Sequence, residues 1–247
     1  MPTALFRLLV LLLLTGCAAV PPSADTLAVD ALLVGEQHDA EEHRDAAQQW
    51  VSRLAARGAL AALALEMVDR GRSTEGLRAD ASEAQVREAL NWDAKAWPWE
   101  RYGAILMTAV RAGVPVLGAN LPREQHRRVL SSAVYDNLLS AEQLAAQQQA
   151  IRAGHCNLLP EQHVLPLTRI QIARDNSMAF AVAGAAVPGK TVVLVAGSAH
   201  VHPELGVPRH LPPTLTSRSL VLPQRPTGKD DCEELRKQFR QVPQTVS

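Results

Sequence analysis

Acidic, imidazole or amide side chains follow four short apolar runs of this sequence, where they could bind a metal ion or transfer protons. These polar positions are Glu36 with His38, then Glu66, then Asn120, and finally His200. Carboxylates and imidazoles grouped in one place can hold a divalent cation or share general acid–base work. A single glutamate after a strand is more often a helix cap or a solvated residue. The hypothesis therefore depends on the repetition of the pattern at four strand ends.

The elements that must position these residues are short apolar segments alternating with helical patterns. The predicted strands cover residues 31–34, 60–65, 114–118, 191–196 and 219–222, the last as an edge strand. Apolar runs separated by helices are typical of parallel strands that are buried on both faces. The sequence therefore predicts an α/β fold, with a largely parallel central sheet flanked by helices. Ligands of such sheets bind beyond the carboxyl ends of the strands, where the polar positions fall.

Residues 123–187 contain no convincing strand and are too long for one crossover. We interpret them as an inserted helical subdomain, whose final helix returns to the sheet over about residues 167–184. This helix carries Arg174 and Asp175 in an otherwise apolar stretch, and buried charges need partners. We expect both residues to enter the crevice at the strand ends, toward Glu36 or Glu66. The alternative is that they lie on a solvated face.

Three other histidines are expected to play smaller parts. His43 lies five residues after His38, which is the wrong spacing for one helix face, so it is predicted to be exposed. His126 lies beside two arginines and is predicted to be on the surface. His202, two residues after His200, could face the same crevice.

The N-terminal residues have the features of a secreted lipoprotein. One arginine and a short apolar run precede Leu14-Thr15-Gly16-Cys17, which resembles the bacterial lipobox. The run is shorter than the roughly 20 residues that span a bilayer. Residues 1–16 are therefore predicted to be a signal peptide, and Cys17 to be the lipidated N-terminus. Ala18 favours the outer membrane, with the protein facing the periplasm. The alternative is an ordinary signal peptide in which the cysteine occurs by chance.

The mature chain is expected to consist of a tether, one α/β domain and a polar tail. These regions cover residues 17–27, 28–222 and 223–247. The 25 basic and 25 acidic residues of the full chain balance, so no charge pattern for nucleic acid is present. Cys156 and Cys232 remain as the pair that could form an intramolecular disulfide, which an extracytoplasmic compartment permits. The alternative is two unpaired, buried thiols.

An ordered set of short motifs resembles the ChaN family of iron-regulated, haem-binding lipoproteins. The motifs include Gly35-Glu36-Gln37-His38, Ala64-Leu65-Glu66-Met67, Trp97-Pro98-Trp99-Glu100-Arg101-Tyr102, Gly118-Ala119-Asn120-Leu121, His155-Cys156-Asn157-Leu158-Leu159-Pro160, Gln171-Ile172-Ala173-Arg174-Asp175 and Ala196-Gly197-Ser198-Ala199-His200. Each motif is weak by itself. Their occurrence in this order across residues 34–211 makes the resemblance specific.

The resemblance implies an α/β domain with a helical subdomain, a role in haem or iron acquisition, and haem stacked between the protomers of a homodimer. The wider superfamily includes the Tiki metalloproteases and erythromycin-esterase-like hydrolases, which share a Glu/His crevice. The matching positions here are Glu36, His38, Glu66 and His200. The alternative is therefore a hydrolase that binds a divalent metal through these four residues. The motifs do not identify a haem iron ligand.

Overall fold

A computed structural model of the protein describes residues 29–226, 228 and 230–241. The predicted signal peptide, Cys17 and the tether lie outside the described residues. Within the described ranges, every helix is too short or too polar to cross a membrane.

The elements alternate between strands and helices along the chain. The strands are β1 (Ala31–Glu36), β2 (Leu60–Asp69), β3 (Val116–Asn120), β4 (Thr191–Gly197) and β5 (Ser217–Val221). The helices are α1 (Glu41–Ala56), α2 (Glu83–Leu90), α3 (Trp99–Arg111), α4 (His126–Leu130), α5 (Ala141–Gly154), α6 (Glu161–Gly184), α7 (Val207–His210) and α8 (Asp231–Gln241). Short 3-10 helices cover Arg123–Gln125, Ala133–Asn137 and Ser198–Val201.

The five strands form one sheet in the order β3-β2-β4-β1-β5, and the pairings between these strands are parallel. The prediction of a parallel α/β sheet is confirmed, and β5 lies at its edge. After β2 the chain folds back along β3, where Ser73 forms an antiparallel bridge to Leu117. All five carboxyl ends of the parallel strands therefore point toward one edge of the sheet.

Helices cover both faces of the sheet. On one face α1 and α3 bury large side chains, among them Trp50, Leu54 and Leu106. On the other face α6 packs its Met178 and Val182 against the strands. Each fully buried side chain of this size contributes roughly 1.5–3 kcal/mol of transfer free energy. The two layers hold the strand ends in fixed positions.

The segment that follows β3 is helical, as expected, as far as the end of α6. The predicted start of α6 near residue 167 was wrong, because the helix begins at Glu161 and continues through Pro166. A proline in a helix removes one backbone hydrogen bond and strains the preceding turn. Here it lies near the N-terminus of a 24-residue helix, so most of the helical hydrogen bonds are unaffected.

The predicted disulfide between Cys156 and Cys232 is confirmed, with 5.6 Å between the two Cα atoms. Cys156 follows α5, and Cys232 lies in the first turn of α8. The bond links residues 76 positions apart in the sequence. It therefore ties the C-terminal helix, most of whose described side chains are exposed, to the helical insertion.

Candidate functional site

The carboxyl ends of neighbouring strands bring the predicted site residues together. Glu36 is the last residue of β1, Glu66 lies within β2, and Asn120 ends β3. His200 lies in the 3-10 helix that follows β4, the strand between β1 and β2. Arg174 and Asp175 approach from α6. Hydrogen bonds and close ion pairs together join all seven predicted side chains into one network, which also includes Tyr102.

Glu36 orients the imidazole of His38. One carboxylate oxygen of Glu36, Oε1, lies 2.9 Å from His38 Nδ1 and accepts a 2.7 Å hydrogen bond from the Tyr102 hydroxyl. The indole of Trp97 meets the His38 ring edge-on, with 4.9 Å between the ring centroids. The backbone of His38 is also held, because Arg101 donates a 2.7 Å hydrogen bond to its carbonyl oxygen. His38 is therefore fixed in position although its side chain is 33% exposed.

The surroundings of Glu36 shift the pKa values of its two partners, His38 and Tyr102. Burial alone would lower the pKa of His38, but its hydrogen bond to Glu36 and the charge of Glu66 outweigh this effect, so the pKa is raised. Burial and the neighbouring Glu36 carboxylate raise the pKa of Tyr102 far above its usual range. The Tyr102 hydroxyl therefore remains a hydrogen-bond donor to Glu36 at all physiological pH values.

Glu66 lies at the centre of the network and is only 3% exposed. Its Oε2 accepts a 2.6 Å hydrogen bond from the Gly197 amide, and its Oε1 accepts one from the Arg174 guanidinium. Arg174 also donates, through Nε, to Asn120 Oδ1 at 2.9 Å. Burial would raise the pKa of Glu66, but the charges of His200 and Arg174 hold it well below its usual range. The Glu66 side chain is therefore a carboxylate.

His200 and Asp175 form a second buried pair. His200 Nδ1 lies 2.5 Å from Asp175 Oδ1, and His200 Nε2 faces Glu66 Oε1 at 3.4 Å. Burial raises the pKa of Asp175 to about 6. Burial would lower the pKa of His200, but the charges of Asp175 and Glu66 raise it to about 9. At neutral pH the pair is therefore an imidazolium and a carboxylate.

Because of the His200–Asp175 pair, we expect the protein to lose folding stability in mild alkali. Because the folded pKa of His200 exceeds the unfolded value of 6.5, the charged imidazole stabilises the fold fully below pH 6.5. That contribution is lost as the pH rises to about 9, and we expect the free energy of unfolding to fall by about 2–3 kcal/mol. Urea denaturation at pH 6.5 and pH 9.5 measures the change. A His200→Gln variant should lose most of this slope, and an equal slope in both proteins would contradict the assignment.

The network does not fit a metal ion. No group of three or more histidine, cysteine or acidic side chains in the described part of the chain is arranged to hold one. The candidate ligand atoms already have hydrogen-bond partners. Both carboxylate oxygens of Glu66 accept hydrogen bonds, one from Arg174 and one from the Gly197 amide. His200 directs one ring nitrogen to Asp175 and the other toward Glu66. The predicted metal site at Glu36, His38, Glu66 and His200 therefore has no support in this geometry.

Comparison with known proteins decides the family. A model of the family described as "Haem-binding uptake, Tiki superfamily, ChaN" matches residues 24–211. The chain belongs to the ChaN family. A solved structure that is similar to this chain shows cofacial heme binding to ChaN of Campylobacter jejuni, at 24% sequence identity and a TM-score of 0.64. The match covers 85% of this chain and 86% of the Campylobacter chain, and confirms the ChaN-like fold. No curated protein sequence matches this chain.

Two members of the network in this ChaN-family chain were missing from the predicted site. Tyr102 is a buried residue of α3, at 2% exposure, and its hydroxyl donates a hydrogen bond to Glu36. Gln171 brings its amide nitrogen within 3.0 Å of His200 Nδ1. Gln171 lies three residues before Arg174, close to one turn of helix, and this spacing could have revealed it.

Two of the three weaker histidine predictions for the ChaN-family chain were wrong, those for His43 and His202. His43 is buried rather than exposed, because it shares the inner face of α1 with Ala47 and Trp50, and its Nδ1 accepts a 2.9 Å hydrogen bond from the Gln37 amide. His126 is half-buried, and its Nε2 is shielded from solvent. His202 is exposed outside the crevice, where its Nδ1 accepts a hydrogen bond from the Glu204 amide.

Proposed function

We propose that this protein binds haem for iron acquisition while anchored in the cell envelope by a lipid on Cys17. The observation that carries the proposal is the match of the haem-binding uptake family to residues 24–211. The similar Campylobacter protein is described as binding heme cofacially. The polar atoms of the site network are hydrogen-bonded to one another. We therefore place the haem-binding surface elsewhere on the domain.

A surface on the helical insertion fits haem. Haem needs apolar contacts, an axial ligand such as tyrosine or histidine, and cations for its propionates. On α4 and the following 3-10 helix, Leu130 is 36% and Val134 61% exposed, beside the partly exposed Tyr135. Arg127 and Arg128 are exposed on α4. We infer that Tyr135 would bind the iron and that one of the arginines would pair with a propionate.

Tyr102 does not suit the role of iron ligand. Its side chain is 2% exposed and its hydroxyl donates a hydrogen bond to Glu36. Its phenolate is disfavoured because its pKa is raised by burial and by the Glu36 charge. A surface haem on the insertion would leave one porphyrin face uncovered. A second copy of the chain with its own haem would cover that face, which supports a homodimer.

Titration of the mature lipoprotein with haemin in mild detergent tests the proposal. We expect a saturable Soret shift, and a Tyr135→Phe variant should bind haemin at least roughly tenfold more weakly because it lacks the axial oxygen. Tyr102→Phe is the matched control and should bind haemin as the wild type does. Haemin binding by the wild type that does not saturate would refute the proposal of haem binding. Equal haemin affinity in Tyr135→Phe would refute only the assignment of Tyr135 as the iron ligand.

The lipid anchor has a separate test. Two or three acyl chains hold a protein stably on a bilayer, whereas one does not. Mass spectrometry of the N-terminal peptide should therefore show an acylated Cys17 as the first residue. A Cys17→Ser variant should move to the soluble fraction. An unmodified Cys17 inside a longer N-terminal peptide would contradict the anchor without affecting haem binding.

A further inference from the structure

A groove beside α6 plays no part in the site network or in the proposed haem surface. β3 is the edge strand on this side of the sheet, and the groove, of about 490 Å³, lies between β3 and the C-terminal half of α6. Its lining is mostly apolar and includes Ala61 and Ala62 of β2, Leu117 of β3 and Ala181 of α6. Apolar surface that stays open to water marks a place where a partner can bind.

Two of the large apolar side chains that the described part of the chain exposes border this groove. Phe180 is 67% and Val187 44% exposed. The others are Leu130 and Val134, on the proposed haem surface, and Val221 on β5, at the opposite edge of the sheet. A phenylalanine left in water forgoes the stabilisation that its burial would give. The exposure of Phe180 therefore favours a partner that covers it.

Arginine side chains lie against this apolar surface. The Arg70 guanidinium lies over the Phe180 ring, 4.8 Å from its centroid. Arg72 is exposed and also lines the groove, whose acidic residue is Glu75. Apolar side chains that enter the lipid interface, together with cations that pair with phosphates, are the features by which proteins bind anionic membranes. Arginine suits this role, because its stem rests on apolar surface while its guanidinium forms paired hydrogen bonds with phosphate.

The chain enters the fold beside the end of the groove that Val187 borders. The Thr191 hydroxyl donates a 2.7 Å hydrogen bond to the carbonyl oxygen of Val29, the first described residue. Thr191 begins β4 directly after a turn in which the Lys190 amide donates a 3.0 Å hydrogen bond to Val187, and Lys190 adds an exposed cation. Residues 17–28 span at most about 40 Å even when fully extended. A lipid at the start of this segment therefore keeps the groove within reach of the bilayer.

We propose that this groove docks the domain on the anionic phospholipid surface of the membrane that holds its lipid anchor. Phe180 and Val187 enter the boundary between headgroups and acyl chains, while Arg70, Arg72 and Lys190 pair with lipid phosphates. The inference rests on the proposed anchor, because a short linker raises the effective concentration of membrane at the groove to about the millimolar range. A dissociation constant near millimolar lipid is then sufficient for docking, and it agrees with the release of an unlipidated protein into the soluble fraction.

The same cations argue against a second copy of the chain as the occupant of the groove. A two-fold interface places the same patch on both sides, so Arg70, Arg72 and Lys190 would face their own copies. Like charges held close together repel, and they repel more strongly where water is excluded. A bilayer with anionic headgroups supplies the opposite charge instead.

Vesicle binding tests the groove separately from the anchor. The mature chain, residues 17–247 with the substitution Cys17→Ser, carries no acyl chain and is co-sedimented with vesicles of phosphatidylglycerol or of phosphatidylcholine. We expect it to bind the anionic phosphatidylglycerol vesicles more tightly, and the binding to weaken in high salt, which screens the charges. Phe180→Ser should weaken this binding by at least about tenfold, because it removes one buried phenylalanine side chain. Arg70→Gln should weaken it by about fivefold, the value of one cation at an anionic surface.

Val221→Ser and Arg218→Gln are the matched controls, because both residues are exposed on β5, at the opposite edge of the sheet. Both should bind vesicles as the parent protein does, and circular dichroism should be the same for all four variants. Equal affinity for the two kinds of vesicle, or parental affinity in Phe180→Ser and Arg70→Gln, would overturn the proposal. A dimer that Phe180→Ser separates into monomers, without binding to vesicles, would assign the groove to a second copy and overturn it as well. Failure of the anchor alone would appear as an unmodified Cys17 together with intact vesicle binding.

Discussion

Replacing Gly118 with alanine should destabilise the domain by more than about 4 kcal/mol, the range reached only by severe core disruptions. An added Cβ would lie 2.0 Å from the carbonyl oxygen of Asp69 and 2.7 Å from its carbonyl carbon. Both are backbone atoms, so no side-chain rotation relieves the clash. Either β3 or the chain leaving β2 must move. The same strand ends at Asn120, which holds Arg174, so the site should be disturbed as well.

Urea denaturation followed by circular dichroism measures this loss. Gly154→Ala is the matched control, because it makes the same chemical change where nothing lies within 4 Å of the new atom. It should be neutral or slightly stabilising, since alanine is favoured over glycine in a helix by up to about 1 kcal/mol. A Gly118→Ala protein with wild-type stability would show that β2 and β3 do not approach each other so closely.

The strand ends could be predicted because a parallel sheet leaves a simple pattern in the sequence. Buried strands are apolar throughout, so each polar residue at the end of a run marks the functional edge. The pattern misplaced some boundaries. β2 continues past Glu66 to Asp69, because the network pairs the Glu66 carboxylate and Met67 and Val68 remain buried. β3 begins at Val116 rather than residue 114, which fits Pro115 lacking an amide hydrogen for the ladder.

The pairings inside the site could not be predicted, because they join residues that are far apart in the chain. Tyr102 and Glu36 are 66 positions apart, and Arg174 and Glu66 are 108 apart. Only the packing of α3 and α6 onto opposite faces of the sheet brings them together. His43 is different, since it lies four residues before Ala47 and seven before Trp50. Because His43 shares this spacing with the apolar face of α1, its burial could have been predicted from the helix alone.

Replacing Arg174 with methionine should lower the free energy of unfolding by roughly 3 kcal/mol, which is at the low end for breaking a buried ion pair. We use the low end because only one partner is fully buried. The Glu66 side chain is 4% exposed, whereas the Arg174 side chain is 25% exposed and keeps part of its hydration. Without the guanidinium, the Glu66 carboxylate keeps the Gly197 amide and the imidazoles of His200 and His38 as partners. Its pKa should rise toward the usual range because one of the two main charges that lower it is lost.

Two further variants distinguish charge from geometry at this position. Arg174→Lys should recover little stability, because one ammonium cannot reproduce the planar fork that joins Glu66 to Asn120. The double variant Arg174→Met with Glu66→Gln should be more stable than Arg174→Met alone, since the neutral amide removes the uncompensated buried charge. Urea denaturation at pH 7 measures all three. The assignment is contradicted if Arg174→Met and Arg174→Lys both stay within about 1 kcal/mol of the wild type, which is the value of an exposed ion pair. The Glu66 carboxylate would then be held by the Gly197 amide, His200 and His38 rather than by Arg174.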